Sequence, residues 1–185
     1  IGRMRSTGSL RSLSTALSLV GAAVSAIGCA PDESTNPLVS KAYPLEDVEL
    51  VKDDLGITHV YAKSDADALF GEGYAMARDR LFQMEMNRRQ ARGTQAEILG
   101  AGAVKGDIGA RTFGFAKLGQ EDADRLAKEA PEDLALVEAW VAGVNARIDE
   151  IARGDAALPY GLRKTELDVV PEKWAAADTF AIGKT

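Results

Sequence analysis

Cysteine and histidine are nearly absent from this chain of 185 residues, which holds one of each, Cys29 and His59. A single cysteine excludes a disulfide within the chain, and one cysteine with one histidine cannot build a structural zinc site of Cys and His ligands. The D-x-[DN]-x-[DN]-G pattern of a calcium-binding loop is also missing. The residues therefore predict no metal site in this chain.

The usual catalytic motifs are missing as well. The sequence contains no G-x-S-x-G, no S-x-x-K, no H-E-x-x-H and no phosphate-binding glycine loop. Every serine except Ser64 precedes residue 41, and Ser64 with Asp67 has the spacing of a helix cap. His59 has no nearby Ser or Cys partner, so we interpret it as a packed or hydrogen-bonded strand residue. The sequence predicts no catalytic residue in this chain.

Positive charge is scarce once the first residues are set aside. The formal net charge is −6, but Arg3, Arg5 and Arg11 all precede Cys29, where no acid occurs. The rest of the chain has 19 of the 22 basic residues against all 28 acidic ones. Such an acidic surface repels phosphate backbones, which argues against nucleic acid as a partner.

The first 45 residues have the pattern of an export signal followed by a linker. Residues 1–28 join a basic start to a short apolar run and small residues, which predicts a signal peptide. The ending A-I-G-C is similar to a bacterial lipobox, with Ala26 in place of the usual Leu, and makes Cys29 the expected lipidation site. A plain secretory signal is the alternative. Residues 29–45 predict a flexible tether, so we expect an exported, periplasmic protein anchored to the outer membrane by lipid.

Periodicity and capping residues divide the remainder, residues 46–185, into a strand pair followed by helices. A sheet of two strands is too small to be stable alone, so we expect it to belong to a larger sheet. The fold class is α+β and mainly helical. The expected elements are a hairpin at 47–62, helices at 64–92 and 94–100, a glycine-rich break at 101–109, helices at 110–129 and 131–154, a loop at 155–173, and a last helix from 175 that is still running at 185.

The long helix that ends before Gly93 mixes apolar and charged residues. Its apolar stripe, and the flanking residues that widen it, predict a helix packed on several sides. Charges inside such a helix need partners: Glu85 is placed to bind Arg88 or Arg89, whereas Arg78, Asp79 and Arg80 need partners elsewhere. An arginine site for an anionic substrate is the alternative. The stripe is Phe70, Tyr74, Ala77, Leu81 and Met84, flanked by Leu69, Met76, Phe82 and Met86; the helix at 131–154 has a second stripe of Leu134, Val137, Val141, Val144 and Ile148.

These stretches resemble the start of the α chain in the penicillin acylase family of N-terminal-nucleophile hydrolases. The resemblance covers residues 47–185, and its departures are Lys52 for Arg, Thr58 for Pro and Arg78 for Gln. The segments that carry it are VELVKDDLGITHVYA, ALFGEGYAMARDRLFQMEMNRRQARGTQAEILG, the Gly143-Val144-Asn145 stretch and Pro171–Trp174. The matching residues are Asp53, Gly56, His59, Tyr61 and Ala62; Gly71, Gly73, Tyr74, Ala77, Asp79, Arg80, Leu81, Phe82, Gln83 and Met84; and Arg88, Arg89, Gly93, Ala96, Glu97, Leu99 and Gly100.

The resemblance implies an αββα sandwich made as one precursor, from which a spacer is excised to leave an α and a β chain. It implies a Ser nucleophile at the new β-chain N-terminus, whose own amino group acts as base. It also implies a calcium ion in the full-length enzyme, bound by ligands outside this chain. No catalytic, substrate-binding or metal-binding residue of the family is carried onto this chain.

We therefore expect the truncated N-terminal part of a penicillin acylase-type amidohydrolase. Its expected partners are its own β chain, a small N-acylated substrate and the membrane through the lipid. The fragment alone is expected to be inactive. The alternatives are an acyl-homoserine-lactone acylase of the same family and a non-catalytic envelope lipoprotein.

Overall fold

The structure, a computed structural model, describes residues 43–185. The expected signal peptide, Cys29 and most of the expected tether lie outside the described residues. Among the helices that the structure does describe, none has the length and apolarity needed to cross a membrane.

An antiparallel hairpin opens the described part and confirms the strand pair expected at 47–62. Strand β1 (Glu49–Lys52) pairs with β2 (Thr58–Tyr61), and Leu50 lies opposite Val60. The turn between them is closed by Asp53, whose carboxylate accepts hydrogen bonds from the backbone N–H groups of Leu55 and Ile57, both at 2.9 Å.

Six α-helices follow the hairpin. They are α1 Asp65–Arg92, α2 Ala96–Leu99, α3 Val104–Phe113, α4 Phe115–Glu129, α5 Pro131–Arg153 and α6 Ala176–Ile182, with a short 3-10 helix at Ala101–Ala103. The long helix α1 begins and ends as the sequence predicts. Ser64 Oγ accepts from the backbone N–H of Asp67 at 3.1 Å, and Gly93 ends the helix with a left-handed φ of 65°.

Helices α1 and α5 pack against each other at two glycines. A Cβ at Gly73 would collide with the backbone carbonyl of Trp140, and one at Gly143 with the carbonyl of Phe70. The hairpin also packs closely on α1 at a glycine, because a Cβ at Gly71 would lie 2.6 Å from the side-chain atom Val60 Cγ1. The absence of these side chains is therefore what lets the two helices and the hairpin come so close.

The core lies between α1, α5 and the segment that follows α5. Both predicted stripes are confirmed as its main contributors, although Tyr74 and Val137 are only partly buried and the flanking Phe82 is exposed. The Tyr74 hydroxyl donates to Glu150 at 3.0 Å. The loop expected at 155–173 is also confirmed, and it contributes core residues that periodicity could not reveal. The buried cluster is Ala77, Leu81, Met84, Val141, Val144, Ile148, Leu162, Val169 and Trp174.

The expected break at 101–109 and the single helix at 110–129 are wrong. Gly106 and Gly109 lie inside α3, where a Cβ at either position would meet nothing within 4 Å beyond its own helix, so they cost helix propensity without preventing the helix. Asp107 holds α3 in place, because its carboxylate accepts from the backbone N–H groups of Gln95 at 2.9 Å and Ala96 at 2.7 Å. The helix breaks at Gly114 instead, where φ is 74°.

The last helix differs at its end. It starts at Ala176, next to the expected start, but finishes at Ile182 rather than continuing to Thr185. The backbone N–H groups of Lys184 and Thr185 bond to the carbonyls three residues back, Ala181 and Ile182, which is turn geometry rather than α-helix.

Replacing Gly143 by alanine tests the close crossing of α1 and α5. Gly143→Ala is expected to lower the free energy of unfolding of the purified protein by about 1–3 kcal/mol, because backbone must move to admit the methyl group. Gly106→Ala is the matched control in an open helical position, where the change is expected to stabilise by up to about 1 kcal/mol. Urea denaturation measures both, and equal effects would contradict the crossing.

Candidate functional site

The nucleophile-type side chains of the described residues are engaged in local structure. Ser64 is the only serine from residue 43 onward, and its hydroxyl donates to Asp67 Oδ2 at 2.7 Å while it caps α1. Asp67 also accepts from the backbone N–H of Leu45 at 2.6 Å. The interpretation of Ser64 as a cap is confirmed, since its oxygen is committed to backbone and carboxylate partners.

His59 forms a hydrogen-bonded pair on the outer face of the hairpin. Its Nε2 lies 3.1 Å from Asp53 Oδ2, as the interpretation of a hydrogen-bonded strand histidine expected. The bond to His59, with that from the backbone N–H of Ile57, holds the pKa of Asp53 below its ordinary value of 3.8. The pair therefore stiffens the turn of the hairpin.

The most developed polar site is a group of charges that we name the α1 charge cluster: Glu85, Arg88, Arg89, Arg92 and Asp178. Glu85 and Arg88 are fully buried. The Glu85 carboxylate accepts from Arg88 Nη2 and, at 2.8 Å, from Arg89 Nε. Both pairings that the helix spacing allowed are thus made at once, and the expectation that these buried charges are paired is confirmed.

Arg88 joins α1 to the segment that precedes α6. Its Nη1 donates to the backbone carbonyls of Glu172 and Lys173, each at 3.1 Å. Its guanidinium also lies over the Trp174 ring, 4.9 Å from the centroid, which is cation–π distance. A planar donor group with several N–H groups is needed to make these contacts together.

Arg92 continues the cluster one turn further along α1. Its Nε and Nη2 contact Asp178 Oδ1 at 2.8 and 2.7 Å. Burial alone lowers the pKa of Arg92, but Asp178 and Glu172 outweigh it and raise that pKa. Asp178 Oδ2 in turn accepts from the backbone N–H of Ala175 at 3.0 Å, so the same carboxylate that binds Arg92 also caps α6.

Asn145 of α5 holds Trp174 from the opposite side. Its Nδ2 donates to the Trp174 carbonyl at 2.9 Å, and its Oδ1 accepts from the Trp174 N–H at 2.7 Å. The Asn145 side-chain amide thus bonds to both backbone groups of Trp174, as a residue of a neighbouring strand would. The sequence predicts neither the Asn145–Trp174 contact nor the Arg92–Asp178 contact, since polar partners that lie 29 and 86 residues away leave no periodic signal.

The charges in the middle of α1, at Arg78, Asp79 and Arg80, face the hairpin or solvent. Asp79 contacts Lys52 Nζ at 3.0 Å and Arg78 Nε at 3.2 Å, so the expectation that Asp79 and Arg78 find partners is confirmed. Arg80 approaches only Gln83, at 3.4 Å, among the described residues.

The cluster is chemically suited to structure rather than to turnover. Arg88 is committed to protein oxygens on three sides, which argues against the alternative of an arginine site for an anionic substrate. Within residues 43–185 no group of three or more His, Cys, Asp or Glu side chains is placed to hold a metal ion.

The sequence of this chain is similar to those of known acylases. The Penicillin amidase family model matches residues 47–185. Penicillin acylase 2 proenzyme of Pseudomonas sp. is 42% identical over 137 residues, covering 73% of this chain and 16% of that protein. Penicillin G acylase of Escherichia coli is 34% identical over 139 residues, covering 74% and 16%. Acyl-homoserine lactone acylase QuiP of Pseudomonas fluorescens is 31% identical over 174 residues, covering 88% and 20%.

A solved structure shows the same fold. The thermostable penicillin G acylase from Alcaligenes faecalis matches with a TM-score of 0.63 and 33% identity, over 74% of this chain and 69% of that chain. The present chain spans no more than one fifth of the length of the curated relatives named above.

Neutralising Glu85 tests the α1 charge cluster. Glu85→Gln leaves two guanidinium groups beside an uncharged amide, and we expect a loss of about 3–5 kcal/mol in the free energy of unfolding. The exposed pair of Arg153 and Asp155 provides the control, since Asp155→Asn is expected to change stability by less than about 0.5 kcal/mol. Denaturant titration that finds both variants alike would refute the role of the cluster.

The lowered pKa of Asp53 gives the hairpin a definite pH dependence. Its contribution to stability is present above the ordinary value of 3.8 and is lost as pH falls through the lower folded-state pKa. Asp53→Asn is therefore expected to lower Tm at about pH 6 and to have a smaller effect at about pH 3. Asp54→Asn, at the neighbouring exposed acid, is expected to leave Tm unchanged at both pH values. An Asp53→Asn effect that does not shrink in acid would contradict the assignment.

Proposed function

Because this chain belongs to the penicillin amidase family, we propose that it is the N-terminal part of an exported amidohydrolase. The enzyme would hydrolyse the linear amide bond of penicillin-like or other small N-acylated substrates. The observation that carries the proposal is the 42% identity to Penicillin acylase 2 proenzyme over 137 residues. Since this chain spans 16% of that protein, the catalytic groups are proposed to lie in the remainder.

Maturation into two chains is part of the proposal. The word proenzyme in the name of that relative supports processing. The lengths of the matched proteins also support processing. This chain aligns with 16% of the length of each of the two penicillin acylases but with 69% of the length of the solved chain. The solved chain is therefore far shorter than those relatives. We propose that this chain likewise pairs with a second chain cut from the same precursor.

The proposed chemistry needs no residue of residues 43–185 as a catalyst. An N-terminal Ser of the second chain would attack the acyl carbonyl, while its own amino group accepts the hydroxyl proton. Collapse of the tetrahedral adduct expels the amine, which takes up that proton, and leaves an acyl ester. Water then hydrolyses the ester and regenerates the serine. A base of this kind removes the need for histidine, which suits a chain whose only histidine pairs with Asp53.

The proposed task of the described residues is to hold the second chain in place. The glycine crossing of α1 and α5 and the α1 charge cluster give a rigid support, because each fixes its partners through backbone contacts. A preorganised support of this kind lets catalytic groups be held at the separations that the reaction requires.

Acyl-homoserine-lactone hydrolysis is the second candidate, favoured by a specific observation. Three relatives named Acyl-homoserine lactone acylase QuiP are 30–32% identical over 149–174 residues. The bond broken would again be an N-acyl amide, so the two candidates differ in the acyl group and the amine and not in the reaction. Export by residues 1–28 and lipidation at Cys29 complete the proposal under either substrate.

Mass spectrometry and hydrolysis of the full-length protein test the proposal. We expect two chains in place of one precursor, and release of amine from a phenylacetyl, glutaryl or fatty-acyl amide. Preference for a fatty-acyl homoserine lactone would select the second candidate. A single uncleaved chain that hydrolyses none of these amides would point to a non-catalytic envelope lipoprotein. Residues 46–185 alone are expected to be inactive, and turnover by that fragment would contradict the assignment of catalysis to the second chain.

A further inference from the structure

Helix α3 carries its apolar side chains on its outside. The exposed fractions of Val104 and Ile108 are 43% and 60%, whereas the residues that α3 buries are Asp107 and Ala110. A surface helix ordinarily buries its apolar face and exposes its polar one. In α3 these two large apolar side chains are exposed instead, and they leave apolar surface uncovered in the described part of the chain.

Polar contacts keep α3 from rotating to bury that surface. The Asp107 carboxylate is bound by two backbone N–H groups at the start of α2. Arg111 Nε donates to the Gly93 carbonyl at 2.8 Å, and a Cβ at Gly93 would lie 2.7 Å from the carbonyl oxygen of Asp107. Rotating α3 about its axis would break the two hydrogen bonds of Asp107 and the one of Arg111. The outward apolar face is therefore a fixed feature of the fold.

A small groove results between α2 and α3, with a volume of about 220 Å³. We name it the α2–α3 groove. Ala96, Val104 and Ile108 give it apolar walls, and Asp107 and Arg111 complete its lining. Leu99, half-exposed, follows Ala96 by three residues on the same face of α2. The groove thus has apolar walls, with the acid Asp107 and the base Arg111 at its polar part.

Arg111 is held at the groove with part of its hydrogen-bonding capacity unused. Its Nε is bound to Gly93, but within the described residues its Nη1 and Nη2 have no hydrogen-bond partner and no carboxylate within 4 Å. These two nitrogens lack a carboxylate partner although acids outnumber bases in the chain by 28 to 22. A guanidinium fixed at one nitrogen and open at the other two presents a fork that matches a carboxylate.

We propose that the α2–α3 groove binds an apolar side chain with a neighbouring carboxylate from the second chain of the processed enzyme. This inference rests on the proposed function, since it requires that second chain. The relatives' length favours this occupant, because about five sixths of the penicillin acylases lie outside the match. A groove of this size takes one or two side chains. The surface area buried by so small a contact is far below the roughly 800 Å² per partner that a stable interface between free copies needs. It suits a chain that is already held at other contacts.

Photo-crosslinking of the full-length protein identifies the occupant. The photoreactive residue p-benzoylphenylalanine is placed at Ile108, and at Lys128 of α4 as an exposed control. Irradiation of the mature protein is expected to join this chain to the second chain through position 108 and to give much less of that product through position 128. An adduct with a second copy of this chain, an adduct with another protein, or no adduct while both chains are present would overturn the proposal.

Charge variants test the carboxylate. Arg111→Gln is expected to lower the urea concentration at which the two chains separate, whereas Lys128→Gln, with the same loss of charge, is expected to leave it unchanged. Raised salt should weaken the native protein and the Lys128 variant more than the Arg111 variant. Equal midpoints for the two variants would overturn the role of Arg111.

The two proposals fail in different ways. If mass spectrometry of the unmodified protein shows one uncleaved chain without amide hydrolysis, the proposed function falls, and the inference falls with it. If two chains and hydrolysis are found but position 108 does not reach the second chain, only the inference falls.

Discussion

The close contact of α1 with α5 is the constraint on which the rest of the structure depends. Gly73 and Gly143 each leave room for a backbone carbonyl of the opposite helix, so the separation of the two helices is fixed by main chain rather than by compressible side chains. The buried stripes meet at the distance that this contact sets. Gly71 likewise leaves room for side chains of the hairpin, so that one region of α1 sets its distance from both α5 and the hairpin.

Further along α1, buried charge secures a segment that has little regular structure. Residues 154–175 contribute Leu162, Val169 and Trp174 to the core, but a loop leaves carbonyl groups without helical partners. Arg88 binds two of these carbonyls and Asn145 a third. Glu85 balances the arginine. The polar groups in the core are thus there to satisfy backbone that an apolar core would leave without hydrogen bonds.

The sequence predicts most of this fold where the signal is local. Ser64, Gly93 and Pro131 mark helix ends through chemistry within a few residues, and the stripes of α1 and α5 follow from periodicity. The family resemblance and the α+β class are likewise confirmed. Prediction failed at 101–113 because Gly106 and Gly109 keep a helical backbone, whereas Gly114 turns left-handed and ends α3. The Asp178 and Asn145 contacts could not be predicted, since they depend on how distant segments meet.

The α1 charge cluster combines contacts of very different sequence separation. Glu85 lies three and four residues from Arg88 and Arg89, so these bonds can form as soon as that turn of helix exists. The carbonyls that Arg88 binds lie 84 and 85 residues further along, and they emerge much later during synthesis. The arginine therefore has a neutralising partner before it has its final one. The charge that fixes the distant segment is thus compensated from within its own helix.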